Sequence, residues 1–219
     1  MFKISKKEEA IKDTDASTFI GKSGIYDVVI NFVSVEVTKN GATQVNFNIS
    51  YNGNDQVIYG PYIYNRDGSE NKIGIQLMNK LGIIAGMEDG EQPDIQQEVH
   101  NVGKDNKPVE FNVITQFSDL PVKMRVQEEY TKYNGEIRSR LVIKSFFAEN
   151  GASAEEIVKS EEPGARLALE QEKYASNVTY RDGLTPEEVE EWKANKRSNT
   201  STPKPAQTNT PARKLFGQK

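Results

Sequence analysis

Two runs flanking Asn134-Gly135 sort their side chains by parity: Lys123, Arg125, Arg138, Arg140, Lys144 and Phe146 fall on one side, and Val122, Met124, Val126, Leu141, Ile143 and Phe147 on the other. Within 120–147 the cations Lys123, Arg125, Lys132, Arg138, Arg140 and Lys144 outnumber Glu128, Glu129 and Glu136 by 6 to 3, a local +3 in a chain of net charge -4. A two-residue Asn-Gly turn with Tyr133 opposite Glu136 sets Arg125 across from Lys144, Glu129 across from Arg140, and Phe146 across from Lys123. Like charges directly opposed cost some tenths of a kcal/mol, about 0.2–1, which a bound anion relieves. Cations that track phosphates, interleaved with aromatics that stack bases, are the chemistry of single-stranded nucleic acid binding. Tyr59, Tyr62 and Tyr64 in a separate run add candidate stacking partners. Both features also have an ordinary structural reading, since tyrosine fills half-buried strand positions and Lys and Arg occupy solvated faces.

Much catalytic chemistry is absent. With no cysteine and His100 as the only histidine, disulfides, Cys/His zinc sites, thiol nucleophiles and histidine-based triads are excluded. Asp67-Gly68-Ser69-Glu70 and Glu88-Asp89-Gly90-Glu91 could hold a hard cation on paper, but Asp and Gly at this density are turn chemistry. His100, among Gln97, Glu98 and Asn101, reads as a surface residue. No catalytic residue, metal or cofactor is expected. No stretch resembles a signal peptide or a membrane span of about 18 apolar residues, so a cytoplasmic protein is expected.

The elements that must position these residues are mainly strands. Asn40-Gly41 predicts a type I′ hairpin with Lys39 opposite Ala42, placing Val28, Ile30, Phe32, Val45, Phe47, Ile49 and Tyr51 on a core face and Asn31, Gln44, Asn46, Asn48 and Ser50 on a polar one. Asn52-Gly53 turns into a third strand, where Gly60-Pro61 predicts a bulge or an edge position. Ile73, Leu77, Leu81 and Ile84 then recur at helical spacing, closed by Gly86. A polar loop over 87–106 precedes a strand at 109–114 and the long hairpin.

Four segments result: an N-terminal segment 1–23, a β domain 24–152, an acidic helical annex 153–197 and a basic, disordered tail 198–219. In the annex, Ser153 and Thr185 begin helices, with Pro163-Gly164 breaking the first. The tail carries Lys204, Arg213, Lys214 and Lys219 and no acid, so +4 there leaves -4 minus 4, or -8, on the rest. Leu215 and Phe216 are its apolar pair and candidate partner-binding residues.

Three strands, a helix and a closing group of strands is the order of a five-stranded OB-like antiparallel barrel, with its helix between strands 3 and 4. The strand Gly24-Ile25-Tyr26-Asp27-Val28, the turn Thr38-Lys39-Asn40-Gly41, the helix at 77–86 with Lys80-Leu81-Gly82, and Pro121-Val122-Lys123-Met124-Arg125-Val126 before Tyr133-Asn134-Gly135 follow one another in an informative order. Over 24–156 that order resembles the OB-fold single-stranded DNA-binding proteins of bacteriophages. The resemblance implies a non-enzymatic protein that holds single-stranded DNA open during phage replication or recombination, in the host cytoplasm, with replication or recombination proteins as candidate partners. Many members end in an acidic recruiting tail, and the tail here is basic. The alternative reading is a virion or regulatory component that uses the β domain as a protein-interaction scaffold.

Overall fold

The computed structural model describes residues 18–103 and 105–200, without the side chains of 197–200. The protein is mainly β. Its sheet runs in the order β3 (Asn54–Tyr64), β2 (Thr43–Tyr51), β1 (Gly24–Val37), β5 (Lys107–Ile114), β4 (Ile95–Val102). β6 (Leu120–Tyr133) pairs with the first half of β1 and with β7 (Glu136–Ala148), while a short β8 (Val178–Tyr180) joins β6 in parallel. Among the described residues, eight strands therefore form one open sheet. β3 and β7 approach each other without a ladder between them, and helix α1 (Lys72–Ile84) packs against both.

Bulges decide which side chains reach the core. In β1 the pairing moves from Ile30↔Ile49 to Phe32↔Asn48, leaving Asn31 as the extra residue. Val28 and Ile30 before it, and Val33 after it, then enter the core. Phe32, expected on that face, is turned to the opposite one and stacks on His100 with ring centroids 3.9 Å apart. The Asn40-Gly41 turn is shifted as well. Only Gly41 has positive φ, +84°, and its N–H donates to Thr38 O while Thr38 N–H donates to Ala42 O, both at 2.8 Å. That is a type I turn with a glycine bulge, giving Val37↔Thr43 where a type I′ turn would have given Lys39 opposite Ala42. Asn52-Gly53 and Asn134-Gly135, with positive φ at all four residues, are the two-residue turns expected.

β3 is an edge strand, and Gly60-Pro61 bulges as expected: Asn46 pairs Tyr59 and Gln44 pairs Tyr62, so one residue of β2 faces two of β3. α1 begins at Asn71, whose Oδ1 accepts from Gly74 N at 3.1 Å, and ends at Gly86, φ +80°. Leu77 and Leu81 are buried, but Ile73, expected on the same apolar stripe, is 80% exposed.

The loop expected over 87–106 instead contains β4, paired along its whole length with β5. It lacked apolar alternation because every one of its residues is exposed or half-buried. His100 is half-buried by Phe32 and hydrogen-bonded to Glu98 at 2.7 Å. Both acidic-glycine segments are turns closed by their own side chains: Asp67 Oδ1 accepts from Ser69 N at 3.0 Å, and Glu91 Oε2 from Glu88 N at 2.8 Å.

The annex holds helices α2 (Ala154–Lys159), α3 (Ala165–Lys173) and α4 (Pro186–Thr200), and the unanticipated β8. Ser153 and Thr185 cap α2 and α4 as expected, with Glu156 and Glu188 closing each box. The tail residues 201–219, Leu215 and Phe216 among them, lie outside the described residues, as do 1–17. No helix among the described residues is long and apolar enough to cross a membrane.

Two stability measurements follow. Gly→Ala in a helix ordinarily stabilises by about 1 kcal/mol. At Gly74 a Cβ would lie 1.9 Å from the Tyr62 carbonyl oxygen, which is backbone and cannot swing away. Gly74→Ala is therefore expected to destabilise by roughly 1–3 kcal/mol in urea unfolding, and a stabilised variant would show that α1 does not sit against β3. Burial alone would raise the Glu156 carboxyl, but the backbone N–H groups of Ser153 and Arg166, at 2.7 and 2.9 Å, outweigh it and hold the pKa at about 2. A depressed folded pKa contributes stability that is complete above about pH 4.5 and is lost as pH falls toward 2, on the order of 3 kcal/mol. Glu156→Gln is expected to be less stable at neutral pH and to flatten that acid limb.

Candidate nucleic-acid interface

The pairing of β6 with β7 slips where the cationic face was expected. Val126 faces Ile143 and Arg125 faces Ser145, so Lys144 is an extra, bulged residue and does not oppose Arg125. The same slip rotates Phe146 inward, opposite Met124 and 2% exposed in the core, where its ring lies 5.3 Å from that of Phe47. Phe146 is thus no surface aromatic, and Lys123 instead faces Phe147.

The annex covers much of the face left by this slip. Arg125, its side chain only 12% exposed, pairs with Glu170 of α3 at 2.5 Å and donates to Ser145 Oγ at 3.3 Å. Arg166 holds the other oxygen of Glu170 at 3.0 Å. Glu129 is held by Arg140 across the hairpin and by Arg181, just beyond β8, at 2.5 Å. Burial alone would raise the Glu129 carboxyl, but the two guanidiniums together prevail and lower it. Gln127 donates to Thr179 of β8 at 2.8 Å. Lys123 pairs with Asp27 at 2.5 Å, and Arg138 stands exposed at the hairpin tip beside Glu136 and over the Tyr133 ring. Of the cations expected to meet nucleic acid, Arg125 and Arg140 are internal partners of carboxylates.

Lys144 differs from them. It forms no ion pair among the described residues and is half-buried. Burial lowers its pKa, and Arg125, Arg181 and Arg140 push the same way against Glu129. An anion beside it would relieve that tension. Its bulge carries it into a groove of about 220 Å³ along the unpaired seam between β3 and β7, which Tyr59, Gly60, Lys80, Val142 and Lys144 help to line.

Lys80 was part of the helix motif but was not taken as a site residue. It lies on the stripe Ile73, Gln76, Leu77, Lys80 of α1, all four lining the groove, and has no ion pair among the described residues. The i, i+3, i+4, i+7 spacing was legible, but nothing local indicated that the stripe borders a seam.

Tyr59, Tyr62 and Tyr64 lie on β3, at 68%, 43% and 40% exposed. They stand along the edge of a polar sheet face. There Ser34 and Asn46 pair across β1 and β2, and Asn46 pairs onward to Tyr59. Ser34, Asn46 and Asn48 are buried, Asn46 Nδ2 donates to Glu36 at 3.1 Å, and Asn46 Oδ1 has no hydrogen-bond partner among the described residues. The structure therefore brings together Tyr59, Lys144 and Lys80, with Tyr62 and Tyr64 further along the strand, and separates them from Lys123, Arg138 and Phe146.

If Arg125 is internal, its removal should cost folding stability. Arg125→Ala leaves Glu170 buried with one guanidinium, and a loss of about 3 kcal/mol in urea unfolding is expected, with affinity for oligonucleotides little changed in the folded protein. Wild-type stability would mean that Arg125 is a surface residue after all. No protein-family model and no curated protein matches the chain, so the reading of this seam rests on its residues and their geometry.

Proposed function

We propose that this protein binds single-stranded DNA stoichiometrically, without catalysis, along the seam between β3 and β7. The frame in this reading is an OB-like barrel of β1, β2, β3, β6 and β7, with α1 beneath its open seam and the β4–β5 hairpin as an added arm. The observation that carries it is an exposed Tyr59 that lines one groove with Lys80 and Lys144, neither of which has an ion-pair partner among the described residues. Cations held in no close ion pair are available to phosphates, and an exposed ring in the same groove to a base. Tyr62 and Tyr64 extend the stacking edge along β3. The proposal carries with it the role of holding strands open in phage replication or recombination, in the host cytoplasm.

The acidic balance of the chain fits a narrow site better than a coated surface. A strand that neutralises a few lysines at one seam can be held against a net charge of -4, because charges beyond about 8 Å are screened at physiological salt.

Anisotropy of a fluorescent oligothymidine at two salt concentrations tests this reading. Wild-type affinity is expected to fall steeply with salt. Lys80→Glu with Lys144→Glu should abolish most binding and reduce the salt slope by up to about 1.4, at ~0.7 per phosphate contact on a single strand. Tyr59→Ala should weaken binding by about 1–3 kcal/mol. Melting temperature should hold in the lysine variant, since neither ammonium group is paired. Unchanged affinity in that folded variant would remove the seam from the site, and no binding by the wild type at low salt would favour a protein-interaction role.

A further inference from the structure

A second groove, of about 540 Å³, lies at the opposite end of the β6–β7 hairpin, between its tip and α4. Its apolar lining is Ile137 and Trp192, and its carboxylates are Glu136, Glu188 and Glu191. Trp192 packs edge-on against Tyr130, ring centroids 6.2 Å apart, within a small core that also contains Leu184 and Val189. It is only partly buried there, so some of the indole borders the groove. Glu188 meets Lys132 at 3.5 Å and Glu136 meets Arg138 at 3.4 Å, while Glu191 has no ion pair among the described residues. The Lys196 ammonium lies over the Trp192 ring, 4.9 Å from its centroid, so the groove offers Ile137 and the remaining indole surface beside Glu191, and its occupant should be a short cationic segment with one or two large apolar side chains.

We propose that this groove holds the chain's own segment Arg213-Lys214-Leu215-Phe216, with Leu215 and Phe216 against Ile137 and Trp192 and the two cations beside the carboxylates. Charge complementarity favours it: residues 201–219 carry Lys204, Arg213, Lys214 and Lys219 and no acid. Reach permits it. Trp192 lies eight residues before Thr200, about 12 Å along α4, and the twelve residues 201–212 can extend up to about 40 Å. The segment belongs to the same molecule, so its effective concentration at the groove is high, in the millimolar range for a short tether. Association through exposed charges alone would be weak and screened. The apolar pair supplies a part that salt does not remove.

Trp192 is the single tryptophan, so its fluorescence reports on this groove without a label. The test compares the full-length wild type with full-length Leu215→Asp/Phe216→Asp, in the absence of nucleic acid, so that its outcome is independent of DNA binding. The expected result is a red-shifted emission in the variant and a clear increase in acrylamide quenching. A synthetic peptide of residues 204–219 should reverse both changes saturably in the variant and have little effect on the wild type. Glu191→Lys in the full-length chain should reproduce part of the shift. Identical emission and quenching in wild type and variant would overturn the proposal. A wild-type signal lost on dilution would overturn it too, because docking would then be between copies and not within one chain.

Discussion

Glu129 and Glu170 are 1% and 3% exposed, and each meets two guanidiniums: Arg140 and Arg181 for the first, Arg125 and Arg166 for the second. A lone buried carboxylate costs several kcal/mol, and pairing repays that only when its oxygens are satisfied. Here both oxygens of each are, and in each case one guanidinium comes from the hairpin and one from the annex. The annex and the β6–β7 hairpin are therefore a single electrostatic unit. Separating them would cost each carboxylate one of its two guanidiniums and would part Arg125 and Arg181 from the groups that neutralise them. This unit decides what the rest of the molecule can do, because it consumes the arginines that would otherwise be the chain's strongest anion-binding surface.

Local signals in the sequence were reliable where the structure is local. The Asn52-Gly53 and Asn134-Gly135 turns, the Gly60-Pro61 bulge and the capping boxes at Ser153 and Thr185 depend on residues within four positions of one another, and each is where the pattern puts it. Bulges are different. An extra residue at Asn31 and another at Lys144 reverse the parity of everything beyond them, which is why Phe32 left the core and Phe146 entered it. No motif marks Asn31 or Lys144 as bulged. β4 was hidden for another reason: a hairpin arm whose half-buried positions are Glu98, His100 and Val102 has no hydrophobic period to read.

The candidate site was legible only in its parts. Tyr59 and Lys144 were singled out by residue type, but their meeting depends on β3 and β7 lying side by side, a contact across more than 80 residues of chain. The cations with the clearest alternation proved to be bound internally. That alternation is equally what a sheet needs to receive an acidic helical layer, and one hairpin viewed alone gives no way to separate a face that awaits an anion from a face that already has one. The acidic residues of the annex were visible in the sequence as well, and so was the opposite sign of the hairpin. Pairing the two would have required treating oppositely charged segments of one chain as partners before invoking an external ligand.

That order of preference applies to the seam as well. Glycine at 60 and 74 allows close approach there, with a Cβ at Gly60 falling 2.5 Å from the Phe47 ring and one at Gly74 falling 1.9 Å from the Tyr62 carbonyl. β3 and α1 are thereby drawn against the core, with Lys144 half-buried at the seam beside them. A cation left unpaired in a protein with 32 acidic side chains is not short of possible partners. α3 places Glu170 on Arg125 and β6 places Glu129 on Arg140, while at Lys144 the pull of Glu129 is opposed by Arg125, Arg140 and Arg181. Guanidiniums that neutralise Glu129 and Glu170 also stand near enough to Lys144 to oppose its charge, so the internal ion pairs and the proposed anion-binding seam are two consequences of the same arrangement.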